Sequence, residues 1–149
     1  MRILLAVDGE SHTEAAVTAA FVHAQHNSGL ITAIHAKDPY LKQFYNDIYA
    51  QGREEYLAHV DDCLFSLAKG VEQTLLGVGE RFGVQYNLKV VSGDPYEVIL
   101  GEVNASEYTL LVVGKRVGKR RFPWRPRDLS AKLIRDVNNI PILVVPGLY

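Results

Sequence analysis

Thr109-Leu110-Leu111-Val112-Val113-Gly114 is a continuous apolar run that ends on glycine, the pattern of a strand buried on both faces of a parallel sheet. Beyond it, seven of the thirteen residues from Lys115 to Arg127 are Lys or Arg, and none is acidic. A helix is expected to restart near Asp128 to Ser130, and the chain closes on Ile140-Pro141-Ile142-Leu143-Val144-Val145. A buried strand that empties into a cationic loop is where an α/β protein receives anions, in the crevice beyond the carboxyl ends of its strands.

The same grammar runs outward from this stretch. Ile3-Leu4-Leu5-Ala6-Val7, closed by Asp8-Gly9, predicts a first buried strand. Ser11-His12-Thr13-Glu14 has capping-box spacing, so a helix is expected from about His12 to Gln25, ended by Asn27-Ser28-Gly29. Leu30 to Ala36 predicts the second strand, and the segment Lys37 to Gln51, with Tyr40, Phe44, Tyr45 and Tyr49, breaks the rhythm as an insertion or flap. From Arg53 to Phe82, Tyr56, Val60, Cys63, Leu67, Val71, Leu75, Val78 and Phe82 recur every three or four residues, as a long one-sided helix requires; Gly70, Gly77 and Gly79 weaken its later turns.

Val84 to Val91 predicts the third strand, and Asp94-Pro95 a helix start, with the acid as N-cap and proline at the first helical position. Asn104-Ala105-Ser106 ends that helix before the strand Thr109 to Val113; Leu129, Leu133, Ile134 and Val137 form one face of a short helix before the last strand, Ile142 to Val145. Strands alternating with helices pair in parallel through right-handed crossovers, so the expected fold class is α/β, a three-layer, doubly wound five-stranded parallel sheet.

With 149 residues, 48% hydrophobic and 22% charged, residues 1–149 fit a single domain with one substantial core. The net charge of −1 conceals polarity: the loop from Lys115 to Arg127 carries +7, and the remaining 136 residues sum to −8. A single cysteine, Cys63, excludes an internal disulfide and a four-cysteine zinc site. The apolar run after Arg2 ends at Asp8, too short for a signal-peptide core, and no run reaches the roughly 18 apolar residues of a membrane span. A soluble, cytoplasmic protein that makes no membrane contact is the expectation.

The chain resembles the universal stress protein family over nearly its whole length. The resemblance rests on Ile3 to Gly9 at the opening, Ala33-Ile34-His35-Ala36, Ser92-Gly93-Asp94-Pro95, Leu111-Val112-Val113-Gly114 and Pro141-Ile142-Leu143-Val144-Val145. It implies strand order 3-2-1-4-5 and a homodimer that pairs the last strands across a twofold axis. Some members of the family bind ATP through Gly, two residues, Gly, nine residues, then Gly-Ser or Gly-Thr. Gly114 matches the first position, Gly118 is displaced by one from the second, and Arg127 and Asp128 occupy the third and fourth; Leu129 and Ser130 match the residues that usually follow. By the same resemblance Asp8 faces the nucleoside, the backbone of Ala36 meets the adenine edge, and Ala6, Val7 and Val113 line the cleft.

The departures lie at the phosphate end. Arg127 places a long side chain where a glycine would let backbone amides approach phosphate, and Asp128 can cap its own helix. Against that loss, Arg116, Lys119, Arg120, Arg121, Arg125 and Arg127 can bind phosphate through guanidinium and ammonium groups. Two functions of different class remain open: a homodimeric stress-response module that binds ATP, another adenine nucleotide or a related anion, and a ligand-free scaffold that binds a protein partner. A nucleotidyl-transfer or hydrolase enzyme is a weaker third, because no acid–base arrangement follows from the spacing and slow ATP hydrolysis is the most the resemblance implies. Phe122 and Trp124 interleave with the arginines, yet so short a loop on an acidic remainder is a poor nucleic-acid footprint. His23 with His26, and His59 with Cys63, lack a third ligand at metal-site spacing, and Cys63 on an apolar helix face is expected to be inert. His35 is expected to end a strand near the cleft, and the aromatic segment Tyr40 to Tyr56 to act as a lid or as a clamp over core and dimer.

Overall fold

The computed structural model describes residues 1–7, 14–37, 53–116 and 129–147, with the backbone alone for 53–61, 63, 64 and 116. Among them the strands β1 (Arg2–Ala6), β2 (Leu30–Lys37), β3 (Tyr86–Ser92), β4 (Leu110–Arg116) and β5 (Ile142–Gly147) alternate with the helices α1 (Glu14–Asn27), α2 (Arg53–Phe82), α3 (Pro95–Ala105) and α4 (Leu129–Asp136). The strands form one sheet ordered β3-β2-β1-β4-β5, and every neighbouring pair is parallel. Alternation along the central strand divides the core. Ile3, Leu5 and Val7 join Ala16, Ala20 and Phe21 of α1 and Val71 and Leu75 of α2 on one face. Leu4 and Ala6 join Ile99 and Val103 of α3 and Leu133 of α4 on the other.

Local chemistry accounts for the junctions. Asp94 caps α3: its carboxylate accepts from the Glu97 amide at 3.2 Å, and Pro95 takes the first helical position without losing a ladder bond. Gly93 makes the preceding turn with φ +152°, donating its amide to the Lys37 carbonyl at 3.0 Å, a backbone shape that side-chain-bearing residues resist. Across α3 and β3, Glu102 accepts from Lys89 Nζ at 2.7 Å and from the Tyr108 hydroxyl at 2.6 Å. Burial pushes the Glu102 carboxyl up, but those two bonds and the charges of Lys89 and Arg2 outweigh it and hold the group below its ordinary value.

The observed strands run further than the apolar runs that announce them. β4, expected over Thr109 to Val113, begins at Leu110 and continues to Arg116, and β5, expected to stop at Val145, continues to Gly147. The extra residues pair with each other, Lys115 with Pro146 and Arg116 with Gly147, so backbone pairing prolongs both strands past their apolar side chains. Thr109 instead exchanges bonds with Arg2: its amide donates to the Arg2 carbonyl at 2.8 Å and its Oγ1 accepts from the Arg2 amide at 3.1 Å. The third strand starts at Tyr86 rather than Val84. The expected capping residues Ser11 to Thr13 and the aromatic segment from Tyr40 to Gln51 lie outside the described residues.

The three glycines do not interrupt α2, and one of them is needed there. A Cβ on Gly79 would stand 2.6 Å from Cε1 and 3.0 Å from Cδ1 of Tyr86. The Tyr86 ring meets Phe21 edge-on with centroids 5.9 Å apart, so it has little freedom to yield. Gly79→Ala gains about 1 kcal/mol of helix propensity but displaces this ring, a packing loss of about 2 kcal/mol, so denaturant titration should show net destabilisation. In a Tyr86→Ala background the same change should stabilise; equal effects in both backgrounds would remove the steric explanation.

Candidate functional site

β1 is the strand from which the chain winds outward both ways, to β2 and β3 on one side and to β4 and β5 on the other. Crevices in doubly wound sheets open where the winding reverses, at the carboxyl ends of the strands. Here the register sharpens that rule. Ala6 pairs with Ile34 and Leu5 with Val112, so β2 continues three residues past the end of β1, through Lys37, and β4 continues three past the level of Ala6, through Arg116. The sheet therefore has a notch over β1, walled by β2 and β4, roughly 10 Å wide from ordinary strand spacing and roughly 7 Å deep above Val7 from ordinary strand rise.

Val7 forms the floor. Its amide donates to the Ile34 carbonyl at 3.0 Å, and by continuation of the register it stands level with His35 on one side and Gly114 on the other. Ala6, Val7 and Val113 are buried, whereas Ala36 and Gly114 are half-buried at the walls and Lys115 is exposed at the β4 tip. Because α4 follows β4 and packs back against it, the first turn of α4, Leu129 and Ser130, starts at this same rim. Ser130 is 6% exposed, so the helix start is set into the protein rather than laid on its surface.

Seven of the residues singled out from the sequence thus come together at one rim: Ala6, Val7, Ala36, Val113, Gly114, Leu129 and Ser130. Arg116 ends β4, with only its backbone described. Asp8, Gly118, Lys119, Arg120, Arg121, Arg125, Arg127 and Asp128 lie outside the described residues, as do the side chains of His59 and Cys63. His23 and His26 are exposed on α1, and among the described residues no group of three His, Cys, Asp or Glu side chains stands close enough to share a metal ion.

His35 takes a more definite place than its position in a strand foretells. It is 2% exposed, and its Nδ1 lies 2.9 Å from the Val7 carbonyl oxygen, so the side chain of β2 ties down the end of β1. No sequence spacing encodes this contact across 28 positions; only its place before Ala36 could have drawn attention. A concavity of about 680 Å³ also opens at the opposite rim, among Arg2, Ser106, Glu107 and Asn139, but it meets the amino ends of β1 and β4, away from the carboxyl-end crevice.

α4 is held at its far end as well. The Tyr96 hydroxyl in the first turn of α3 donates to Asp136, the last residue of α4, and Arg135 reaches the same carboxylate with two nitrogens at 3.0 Å each. The Arg135 guanidinium, then the Tyr96 hydroxyl, hold the Asp136 carboxyl down at about 2.

A five-stranded parallel sheet that winds outward both ways from β1 defines the doubly wound class of α/β proteins. Within that class the chain belongs to the universal stress protein family, whose model matches residues 1–146. A comparison with curated proteins gives no match. Among solved structures, a universal stress family protein from Burkholderia pseudomallei is 18% identical with a TM-score of 0.71, over 98% of this chain and 96% of that one. An Arabidopsis thaliana universal stress family protein with AMP bound is 17% identical with a TM-score of 0.62, over 99% and 92%. The Archaeoglobus fulgidus universal stress protein in complex with dAMP is 15% identical with a TM-score of 0.64, over 97% and 97%. Among the described residues no helix is long and apolar enough to cross a membrane.

A carboxyl whose folded value is depressed contributes stability above its unfolded value, near 3.8 for Asp136, and loses that contribution as pH falls toward about 2. Urea midpoints measured from pH 5 to pH 2 should therefore fall more steeply in the wild type than in Asp136→Asn. Parallel curves would mean that the Tyr96–Asp136–Arg135 tie does not hold α4.

Proposed function

We propose that the protein is a homodimeric regulatory module that binds an adenine nucleotide in the notch between β2 and β4, with its phosphates toward the β4 tip and the start of α4. The observation that carries this reading is the notch itself: the central strand stops short of both neighbours at the reversal of winding, with apolar residues on its floor and a helix start beside it. Membership of the family, and the AMP and dAMP held by relatives of the same fold, support the choice of nucleotide.

In this site Ala6, Val7, Ala36 and Val113 pack against the base, the Ala36 backbone reads its edge, and Asp8 takes the ribose. Gly114 and Gly118 let the backbone turn toward the phosphates, and Leu129 and Ser130 present the amides of the helix start. Arg127 stands where a phosphate-loop glycine would be, so phosphate recognition passes to side chains: Arg116, Lys119, Arg120, Arg121, Arg125 and Arg127. The site carries no dedicated acid–base machinery and acts by occupancy rather than turnover.

β5 supports the dimer. Among the described strands it pairs only with β4, which leaves its outer edge open, and Ile142 to Val145 are only half-buried along it. Pairing of that edge with a second copy across a twofold axis would cover it.

Calorimetric titration tests the nucleotide reading. AMP, ADP and ATP should each bind, and exchanging Arg120, Arg121 and Arg125 together for Gln should weaken ATP about tenfold or more while AMP changes by about twofold at most. No heat with any of the three at high protein concentration would contradict nucleotide binding and favour the ligand-free scaffold instead.

A further inference from the structure

Strand alternation decides which face of the sheet each rim residue serves. Leu4 and Ala6 of β1, Ile34 of β2, Leu111 and Val113 of β4 and Val144 of β5 all pack on the α3–α4 side. Side chains two positions apart on a strand share a face, and the pairing of β2 with β3 and of β4 with β5 runs unbroken to their tips. Ala36, Val91, Lys115 and Pro146 are therefore the next row on that side, Ala36 paired with Val91 and Lys115 with Pro146. Lys89, two residues before Val91, confirms the face by reaching Glu102 of α3 at 2.7 Å. Because β1 ends at Ala6, one row lower, this row spans the notch.

The row changes character across that gap. At the β3 end Val91, 40% exposed, lies beside the half-buried Ala36, and the Asp94 carboxylate follows at the start of α3. At the β4 end Lys115 is exposed. An apolar pair and a cation on either side of a gap two strand spacings wide, about 10 Å, suit a ligand with a flat ring at one end and an anion at the other, and the carboxylate disfavours the reverse orientation. We propose that Lys115 holds the 5′-phosphate of the nucleotide, whose base lies over Ala36 and Val91 on the α3–α4 face of the sheet. The inference rests on the nucleotide reading above and adds to it the face that is occupied and two contact residues that no sequence motif marks. Lys115 belongs to a strand still paired with β5, so its ammonium is anchored near the base, and the arginines that follow it in the chain serve the phosphates beyond the first.

Calorimetric titration of AMP into variants at these two positions tests the assignment. Lys115→Gln should weaken AMP about tenfold or more through loss of a charge-assisted bond to phosphate, and Lys115→Arg should stay within about threefold of the wild type. Val91→Ser should weaken AMP about fivefold through lost apolar contact. The double variant should show the product of the two factors, because residues about 14 Å apart on separate strands act independently. Both side chains are exposed, so each variant should keep the circular dichroism spectrum of the wild type. AMP affinity unchanged in Lys115→Gln or in Val91→Ser, or an equal loss with arginine and with glutamine, would overturn the assignment and leave nucleotide binding standing; a wild type that binds no AMP would overturn both.

Discussion

Parallel pairing on both sides of β1 is the constraint on which the rest of the structure depends. Each crossover must be right-handed, so a chain that leaves β1 through α1 builds outward to β2 and β3 and must come back past β1 to lay down β4 and β5. The described helices then divide two to each face, and four successive residues of β1 are committed: Ile3 and Leu5 to the α1–α2 side, Leu4 and Ala6 to the α3–α4 side. Past the exposed Arg2, the strand has no solvent-facing position at which to adapt. Its end, rather than its length, is where the fold leaves room for a ligand.

That room is bounded by unequal strand lengths. β2 and β4 continue because their outer neighbours β3 and β5 still pair with them, Lys37 with Ser92 and Arg116 with Gly147. The notch is thus a product of the whole sheet rather than of a local loop, and its walls are as firm as the ladders behind them. In the sequence, β4 is followed by the cationic stretch that offsets a remainder of charge −8.

Much of the fold was legible in the sequence because its strands are buried on both faces and read as unbroken apolar runs. Asp94-Pro95 announced α3 through capping chemistry that is local by nature. What escaped was tertiary. Lys115, Arg116, Pro146 and Gly147 carry no strand signature, yet backbone pairing with each other keeps them in β4 and β5. Gly79 reads as a weak point of α2 until Tyr86 arrives from β3 to fill the space it leaves. For the proposed site, motif order singled out Ala6, Val7, Ala36, Val113 and Gly114, residues in or beside the carboxyl ends of neighbouring strands. The bond from His35 to Val7 did not, since a contact between side chain and backbone on neighbouring strands leaves no periodic trace.

Intermolecular nuclear Overhauser effects between AMP and methyl-labelled protein test the central claim most directly, because they place the base without prior assumption about the site. Base protons should report on the methyls of Ala36, Val7 and Val113, the two walls and the floor of the notch. Contacts instead to Val103 and Ile140, which line the concavity at the opposite rim, would contradict it.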